Sequence, residues 1–257
     1  MSRENLTDRF DMFLGTAAYP DPLNPYSSND YRGIVAVCRT DADVVKRILK
    51  TTPFEYVDNI FNITFGDSSN SVFPNSHQVD IAGYMHCRFT VPVRYKDIVG
   101  GYTFTWFENH FAAVCAGREV WGYPKKLMSS TYEETDESAV ATCVVGGNEL
   151  ITLAFDFKSK PIENLPEVKL NPHLMIHTVA NPEGPGILEK RILSRDPSPD
   201  NKPKFKRTGN VTVALRGNRS NPLDALLPIE VLGGFYSQGM HVSSDEHGWA
   251  KIIDQLK

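Results

Sequence analysis

What most narrows the fold is a run of short apolar, β-branched and aromatic segments through the middle of the chain. YTFTWF at 102–107, FAAVCAG at 111–117, AVATCVV at 139–145 and ELITLAFDF at 149–157 follow one another closely, and Gly146, Gly147 and Asn148 join the last two. Segments of this length bounded by turn residues predict strands, and the glycine-rich connection predicts a hairpin. HLMIHTVA at 173–180 and GNVTVALRG at 209–217 add two more strands, and GIVAVC at 33–38 reads as a buried one.

Helices are scarcer. TDADVVKRILK at 40–50 is the clearest, with Thr40 as its cap, Asp43 in the first turn, and Val44, Val45, Ile48 and Leu49 on one face. NPLDALLPIEVLGGF and the tail DEHGWAKIIDQLK are each expected to supply a short helix or helical turn, and prolines at 161, 166, 172, 182, 185, 197 and 199 exclude a long helix between. Before residue 33, Pro20, Pro22, Pro25 and the cluster YSSND read as a lead-in segment draped over a body. The pattern predicts an α+β fold, an antiparallel or mixed sheet curled into a β-barrel with a few peripheral helices. No repeat or linker divides residues 1–257, which are expected to form a single domain.

With 257 residues, 41% of them hydrophobic, the chain can build a core without disulfides or metals. Its 27 basic residues against 31 acidic ones leave no global positive field, so neither nucleic acid nor a membrane is an expected partner. The basic run NKPKFKRTGN at 201–210 lacks interleaved aromatics and reads as a solvated loop or strand edge. Cys38, Cys87, Cys115 and Cys143 form no CxxC pair and are expected as small core hydrophobes. The polar start MSRENLTDRF resembles neither a signal peptide nor a membrane span, which makes the cytoplasm the expected compartment.

Nucleotide loops, HExxH and the GxSxG elbow are absent from the sequence. His173 and His177 lie on one face of a strand about 13 Å apart, a poor spacing for one metal ion, and no metal is expected. Asp11, Asp21, Asp30 and Glu108 form no carboxylate pair that their spacing singles out.

GREVWGYPKKLM at 117–128 poses a sharper question. Lys125 and Lys126 follow Pro124, with Trp121, Tyr123 and Leu127 as apolar neighbours and Arg118 and Glu119 just upstream. In an extended segment the two lysines point to opposite faces, so only one enters a pocket. Near a pKa of 10.4 only about one lysine in 2,500 is neutral at pH 7, and lowering the value to about 7 takes roughly 4.6 kcal/mol of differential stabilisation. Desolvation by the apolar neighbours and the positive field of Lys126 or Arg118 are two sources for it. From these residues alone the pair is either a nucleophilic amine with its neighbour or two surface charges on a loop, the second being the plainer reading.

GREVWGYPKKLM resembles the active-site signature of the acetoacetate decarboxylase family: GRE, two variable residues, a small residue, then YPKKL. YRGIVAVCRTDADVVKRIL resembles the family's amino-terminal strand and helix, and NPLDALLPIEVLGGF its carboxy-terminal turn and strand. The resemblance implies the family's barrel, a homo-oligomer, and a cofactor-free reaction on a small carbonyl compound or β-keto acid. It assigns the Schiff base to Lys125 and an electrostatic or structural role to Lys126; acetoacetate decarboxylase is itself a long-known example of a lysine activated by its surroundings.

The same resemblance sets Tyr31 where the family carries an arginine, with Arg32 beside it, and Asn62 and His86 where it carries two acids. His86 then either transfers protons near neutral pH or is a hydrogen-bonded structural histidine. Tyr31 polarises a carbonyl or packs, and Asn62 can hydrogen-bond a substrate but cannot act as a base. Arg118 and Glu119 are expected as an ion pair positioning the lysine loop, with proton transfer by Glu119 as the alternative; Trp121 and Tyr123 line or support the site. The expected activity is a lysine Schiff-base decarboxylase. An imine-forming aldolase, dehydratase or cyclase of specialised metabolism uses the same electron sink, and a non-catalytic binding protein on the same fold is the reading outside enzymology.

Overall fold

The computed structural model describes residues 27–72, 83–244 and 246–256. The lead-in expected before residue 33 falls outside these up to residue 26, and from Ser27 onward the chain is already strand. The strands are β1 (Ser27–Arg39), β2 (Glu55–Tyr56), β3 (Ile60–Val72), β4 (Gly83–Tyr95), β5 (Ile98–Glu108), β6 (Lys125–Leu127), β7 (Ser129–Glu134) and β8 (Ser138–Val145) in the first half. There follow β9 (Asn148–Asp156), β10 (His173–Ala180), β11 (Ile187–Arg195), β12 (Lys202–Gly209), β13 (Val211–Leu215), β14 (Glu230–Ser243) and β15 (Lys251–Leu256). Helices α1 (Ala42–Leu49) and α2 (Phe111–Glu119) are the α-helices among the described residues.

The larger sheet runs β12-β14-β1-β3-β4-β5-β10-β11-β15, with β2 on β4 and β6 on β5; β13-β9-β8-β7 form the smaller one. Most neighbours are antiparallel, but β5 pairs in parallel with both β6 and β10, so the larger sheet is mixed. The fold is mostly β, as the strand-rich sequence predicts. The expected barrel closure is absent from the described pairings, which leave β12 and β15 as the ends of an open path. No helix among the described residues is long and apolar enough to cross a membrane.

Between the sheets lies a core built from alternate residues of long strands: Ile34, Ala36 and Cys38 of β1, Phe61, Ile63 and Phe65 of β3, Cys87, Phe89 and Val91 of β4, and Leu153 and Phe155 of β9. The cysteines are free thiols, three of them buried, as their apolar settings predict. The β8–β9 hairpin turns at Gly146 and Gly147, both at positive φ (59° and 79°), a geometry that favours glycine.

Three local expectations are corrected. FAAVCAG is the body of α2, not a strand. A short apolar run does not by its periodicity tell a strand from a buried helix, and its three alanines favour the helix. The tail forms β15, an edge strand on β11, because Ile252 to Leu256 find open backbone groups there to pair with. In α1 the cap is Asp41, whose carboxylate accepts from the Asp43 amide at 2.7 Å, while Thr40 is buried and donates its hydroxyl to the Leu226 carbonyl at 2.6 Å. The basic run at 201–210 is edge strand β12, one of the two readings its composition allows.

Candidate active site

The strand faces opposite the core line a cavity of about 790 Å³. Period-2 alternation sorts the residues. Tyr31, Val35 and Val37 of β1 face it, as do Asn62 and Thr64 of β3, His86, Arg88 and Thr90 of β4, and Trp106 and Glu108 of β5. Register stacks six of these into two cross-strand rungs. Gly33, Gly66, His86 and Glu108 are successive partners across β1, β3, β4 and β5, and the next rung holds Val35, Thr64, Arg88, Trp106 and Lys125.

The glycines of the first rung make room for rings. A Cβ on Gly66 would stand 2.5 Å from His86 Cε1 and 2.6 Å from Tyr31 Cε2. Tyr31 and His86 stack in that space with centroids 6.2 Å apart and planes 27° from parallel.

Lys125 enters the second rung from α2. The chain leaves the helix through Gly122 at φ 73°, where a Cβ would lie 2.7 Å from the His177 Cα, and β6 then runs beside β5. Extended geometry turns Lys125 inward and Lys126 outward. Lys125 Nζ lies 2.5 Å from Glu108 Oε2, donates to the Ala113 carbonyl at 3.0 Å and sits 4.6 Å from the centre of the Trp106 ring. Glu108 is fully buried, and its Oε1 has no hydrogen-bond partner among the described residues. The Arg118 guanidinium donates to the Lys125 carbonyl at 3.1 Å and so braces the β6 backbone.

Burial dominates the electrostatics of this pair. It pushes the Lys125 pKa down, against the attraction of Glu108 and with help from the Arg195 and Arg88 guanidiniums. It pushes the Glu108 pKa up, against the field of Lys125. Both shifts favour the uncharged forms, so the proton on the amine is loosely held with an acceptor 2.5 Å away.

The sequence-derived candidates divide clearly. Lys125, Tyr31, Asn62, His86, Trp121 and Tyr123 all line the cavity. Among the described residues, Asn62 Oδ1, His86 Nδ1 and Trp121 Nε1 are buried there without hydrogen-bond partners. The Tyr123 hydroxyl is 2.8 Å from His173 Nδ1, and its ring packs on Trp106 with centroids 4.8 Å apart. Burial holds the His86 pKa well below the ordinary histidine value, with Arg88 and Lys125 adding to the effect. Burial thus disfavours the imidazolium form, which weighs against proton transfer near neutral pH, one of the two roles the sequence leaves open for His86.

Lys126, Arg118 and Glu119 lie outside the cavity lining. Lys126 Nζ donates to Asn221 Oδ1 at 2.8 Å and to the Ser220 carbonyl at 3.3 Å, and it is not among the charges that shift Lys125. Glu119 is exposed at the end of α2 and lines a separate small depression with His177 and Trp249. The carboxylate that meets the lysine is Glu108. It ends a strand whose alternation sets Trp106 and Glu108 on one face, and that spacing was its signal in the sequence. Arg88, two residues from His86, carried the same signal.

The acetoacetate decarboxylase family model matches residues 14–246. An acetoacetate decarboxylase of Burkholderia ambifaria is 24% identical over 238 residues, covering 92% of this chain and 90% of the relative. Among solved structures, the acetoacetate decarboxylase of Legionella pneumophila superposes with a TM-score of 0.77 at 19% identity, covering 94% of this chain and 91% of that one. An enduracididine biosynthesis enzyme complexed with pyruvate is similar at a TM-score of 0.68 and 13% identity, covering 90% and 91%.

Proposed function

The chain belongs to the acetoacetate decarboxylase family, and on that premise we propose that it is a lysine Schiff-base lyase that decarboxylates a β-keto acid larger than acetoacetate. The observation that carries this reading is the buried Lys125 amine facing the cavity with Glu108 Oε2 at 2.5 Å. A lysine is a nucleophile only when neutral. Here desolvation disfavours its charge and a raised-pKa carboxylate stands ready to take the proton.

In the proposed sequence, Glu108 accepts the Lys125 proton and the amine adds to the substrate ketone. Glu108 returns a proton to the carbinolamine oxygen, water leaves, and a protonated imine forms. The bond to the carboxylate then breaks, its electron pair moving into the imine to give carbon dioxide and an enamine. Protonation of the enamine carbon and addition of one water release the ketone and restore the amine. His86, neutral and stacked on Tyr31, suits hydrogen bonding to the reacting oxygen better than proton donation as imidazolium.

The cavity supports a larger substrate. Its roughly 790 Å³ lies toward the upper part of the ~300–1,000 Å³ typical of small-molecule pockets, whereas acetoacetate has only seven non-hydrogen atoms. A second reading, imine-based aldol or dehydration chemistry, draws support from the family resemblance, which sets Tyr31, Asn62 and His86 where the family carries an arginine and two acids, and from the likeness to the enduracididine enzyme. Incubation with 3-oxo acids of increasing chain length, reduction with cyanoborohydride and peptide mass analysis test the imine. A substrate-derived adduct on Lys125 is expected, and its absence across the series refutes the Schiff-base reading. Carbon dioxide release separates decarboxylation from the second chemistry.

A further inference from the structure

Resting on Lys125 as the imine-forming residue, the second rung narrows what the substrate must carry. Arg88 faces the cavity from β4, directly across from Trp106, which is in turn directly across from Lys125. Its guanidinium carbon lies 5.1 Å from the Trp106 ring centre, and Lys125 Nζ lies 4.6 Å from the same point. The two cationic groups are therefore no more than about 10 Å apart, both against one indole.

Arg88 is also uncommitted. Among the described residues it makes no ion pair and no side-chain hydrogen bond, and its Nε is buried without a partner. The other arginine of the cavity differs. Arg195 spends Nε on the Gly248 carbonyl at 2.7 Å and Nη2 on Ser243 Oγ at 3.0 Å, with its guanidinium carbon 4.9 Å from the Trp121 ring centre. A guanidinium left unpaired in a partly buried setting, with its fork of donors free, is a carboxylate receptor.

We propose that Arg88 binds the carboxylate of the substrate while Lys125 forms the imine, so that the ligand is a 3-oxo acid laid across Trp106. The lengths agree. From the lysine nitrogen through the imine carbon and methylene to the carboxylate carbon is about 4 Å, and a bidentate pair with N–O contacts of ~2.8 Å adds about 4 Å to the guanidinium carbon. Their total falls inside the 10 Å bound. Tyr31, at the position the family resemblance gives to arginine, cannot supply this charge, so the anion-binding role passes from β1 to β4. Arg88 also sets the orientation of the scissile bond, holding the carboxylate at one end while the imine withdraws electrons at the other.

The test uses matched charged and neutral ligands on the full-length protein. Binding of 3-hydroxyoctanoate and of its methyl ester, neither of which can form an imine, is measured by calorimetry for wild type, Arg88→Gln, Arg88→Lys and Arg195→Gln. Removing a charged hydrogen-bonding partner is expected to weaken the acid about 10- to 100-fold in Arg88→Gln and to leave the ester nearly unchanged. Arg88→Lys should recover part of the loss, and Arg195→Gln should not reproduce the discrimination. Equal effects on acid and ester, a discriminating loss in Arg195→Gln instead, or a wild-type protein that takes up neither ligand would each overturn the assignment. Cyanoborohydride trapping with 3-oxooctanoate and its methyl ester runs in parallel. Loss of trapping with intact acid binding would defeat the Lys125 premise alone, and trapping with no acid-specific effect of Arg88 would defeat this inference alone.

Discussion

Gly117 of α2 lies against the shaft of Lys125, and substituting it separates activity from stability. A Cβ on Gly117 would stand 2.5 Å from Lys125 Cε and 3.0 Å from Nζ. Non-bonded carbons relax to ~3.5–4.0 Å, so in Gly117→Ala the end of the lysine must shift by about 1 Å. Glu108 is fully buried and cannot readily follow, so the 2.5 Å approach of Nζ to Oε2 is lost. A misplacement of this size costs on the order of 100-fold in rate, which is the expected fall in cyanoborohydride trapping with a 3-oxo acid. Stability should follow far less, because the shift lengthens the Lys125–Glu108 pair without removing either partner, and alanine within a helix is favoured over glycine by roughly 0.5–1 kcal/mol. With ~2–4 °C of melting temperature per kcal/mol in a chain of this size, the variant should melt within a few degrees of wild type. A folded Gly117→Ala that traps substrate at the wild-type rate would refute the claim that the helix surface aims Lys125, and one that fails to fold would refute the separation.

Glu108→Gln removes the charge that holds the proton on Lys125, so the acid limb of the pH profile for trapping should move to lower pH while the maximal rate falls; an unmoved limb counts against the proton-accepting role. Lys125→Ala leaves Glu108 buried and unpaired, a loss of up to about 3–5 kcal/mol when the carboxylate is charged. Because the folded pKa of Glu108 is raised, the stability it contributes is present below the unfolded value of ~4.3 and disappears as pH rises through the folded one. The melting deficit of Lys125→Ala should therefore grow from pH 5 to pH 8 and be relieved in the double variant with Glu108→Gln, whereas a pH-independent deficit contradicts the pairing. Lys126→Ala should leave the trapping rate within about fivefold of wild type, since its partners Asn221 and Ser220 lie away from the cavity; a fall as deep as that of Lys125→Ala would reinstate it in the chemistry. His86→Gln should still trap substrate but release product more slowly, and product release at the wild-type rate removes it from the reaction.

Much of the architecture was written in one dimension. Alternation along GIVAVC, YTFTWF and ELITLAFDF identifies strands because a strand with a buried face must place apolar side chains at every second residue. The amphipathic face of α1 and the Gly146–Gly147 turn are local in the same sense. The YPKK signature marks Lys125, and extended geometry alone separates it from Lys126. FAAVCAG escaped this reading because a run without a polar side chain has no polar face to reveal its period. The tail became a strand only because β11 offered an unpaired edge.

The composition of the site belonged to the tertiary structure. Glu108, His86 and Lys125 are far apart in the chain and meet only because the registers β4–β5 and β5–β6 bring them onto adjoining rungs. Glu119, six residues from Lys125, points elsewhere because α2 and the Gly122 turn reverse the chain between them. Sequence determined which residue types alternate to which face, since that follows from backbone geometry. Only the fold decided which charges are stripped of water and share one cavity, because desolvation depends on everything packed around a group and not on its neighbours in the chain.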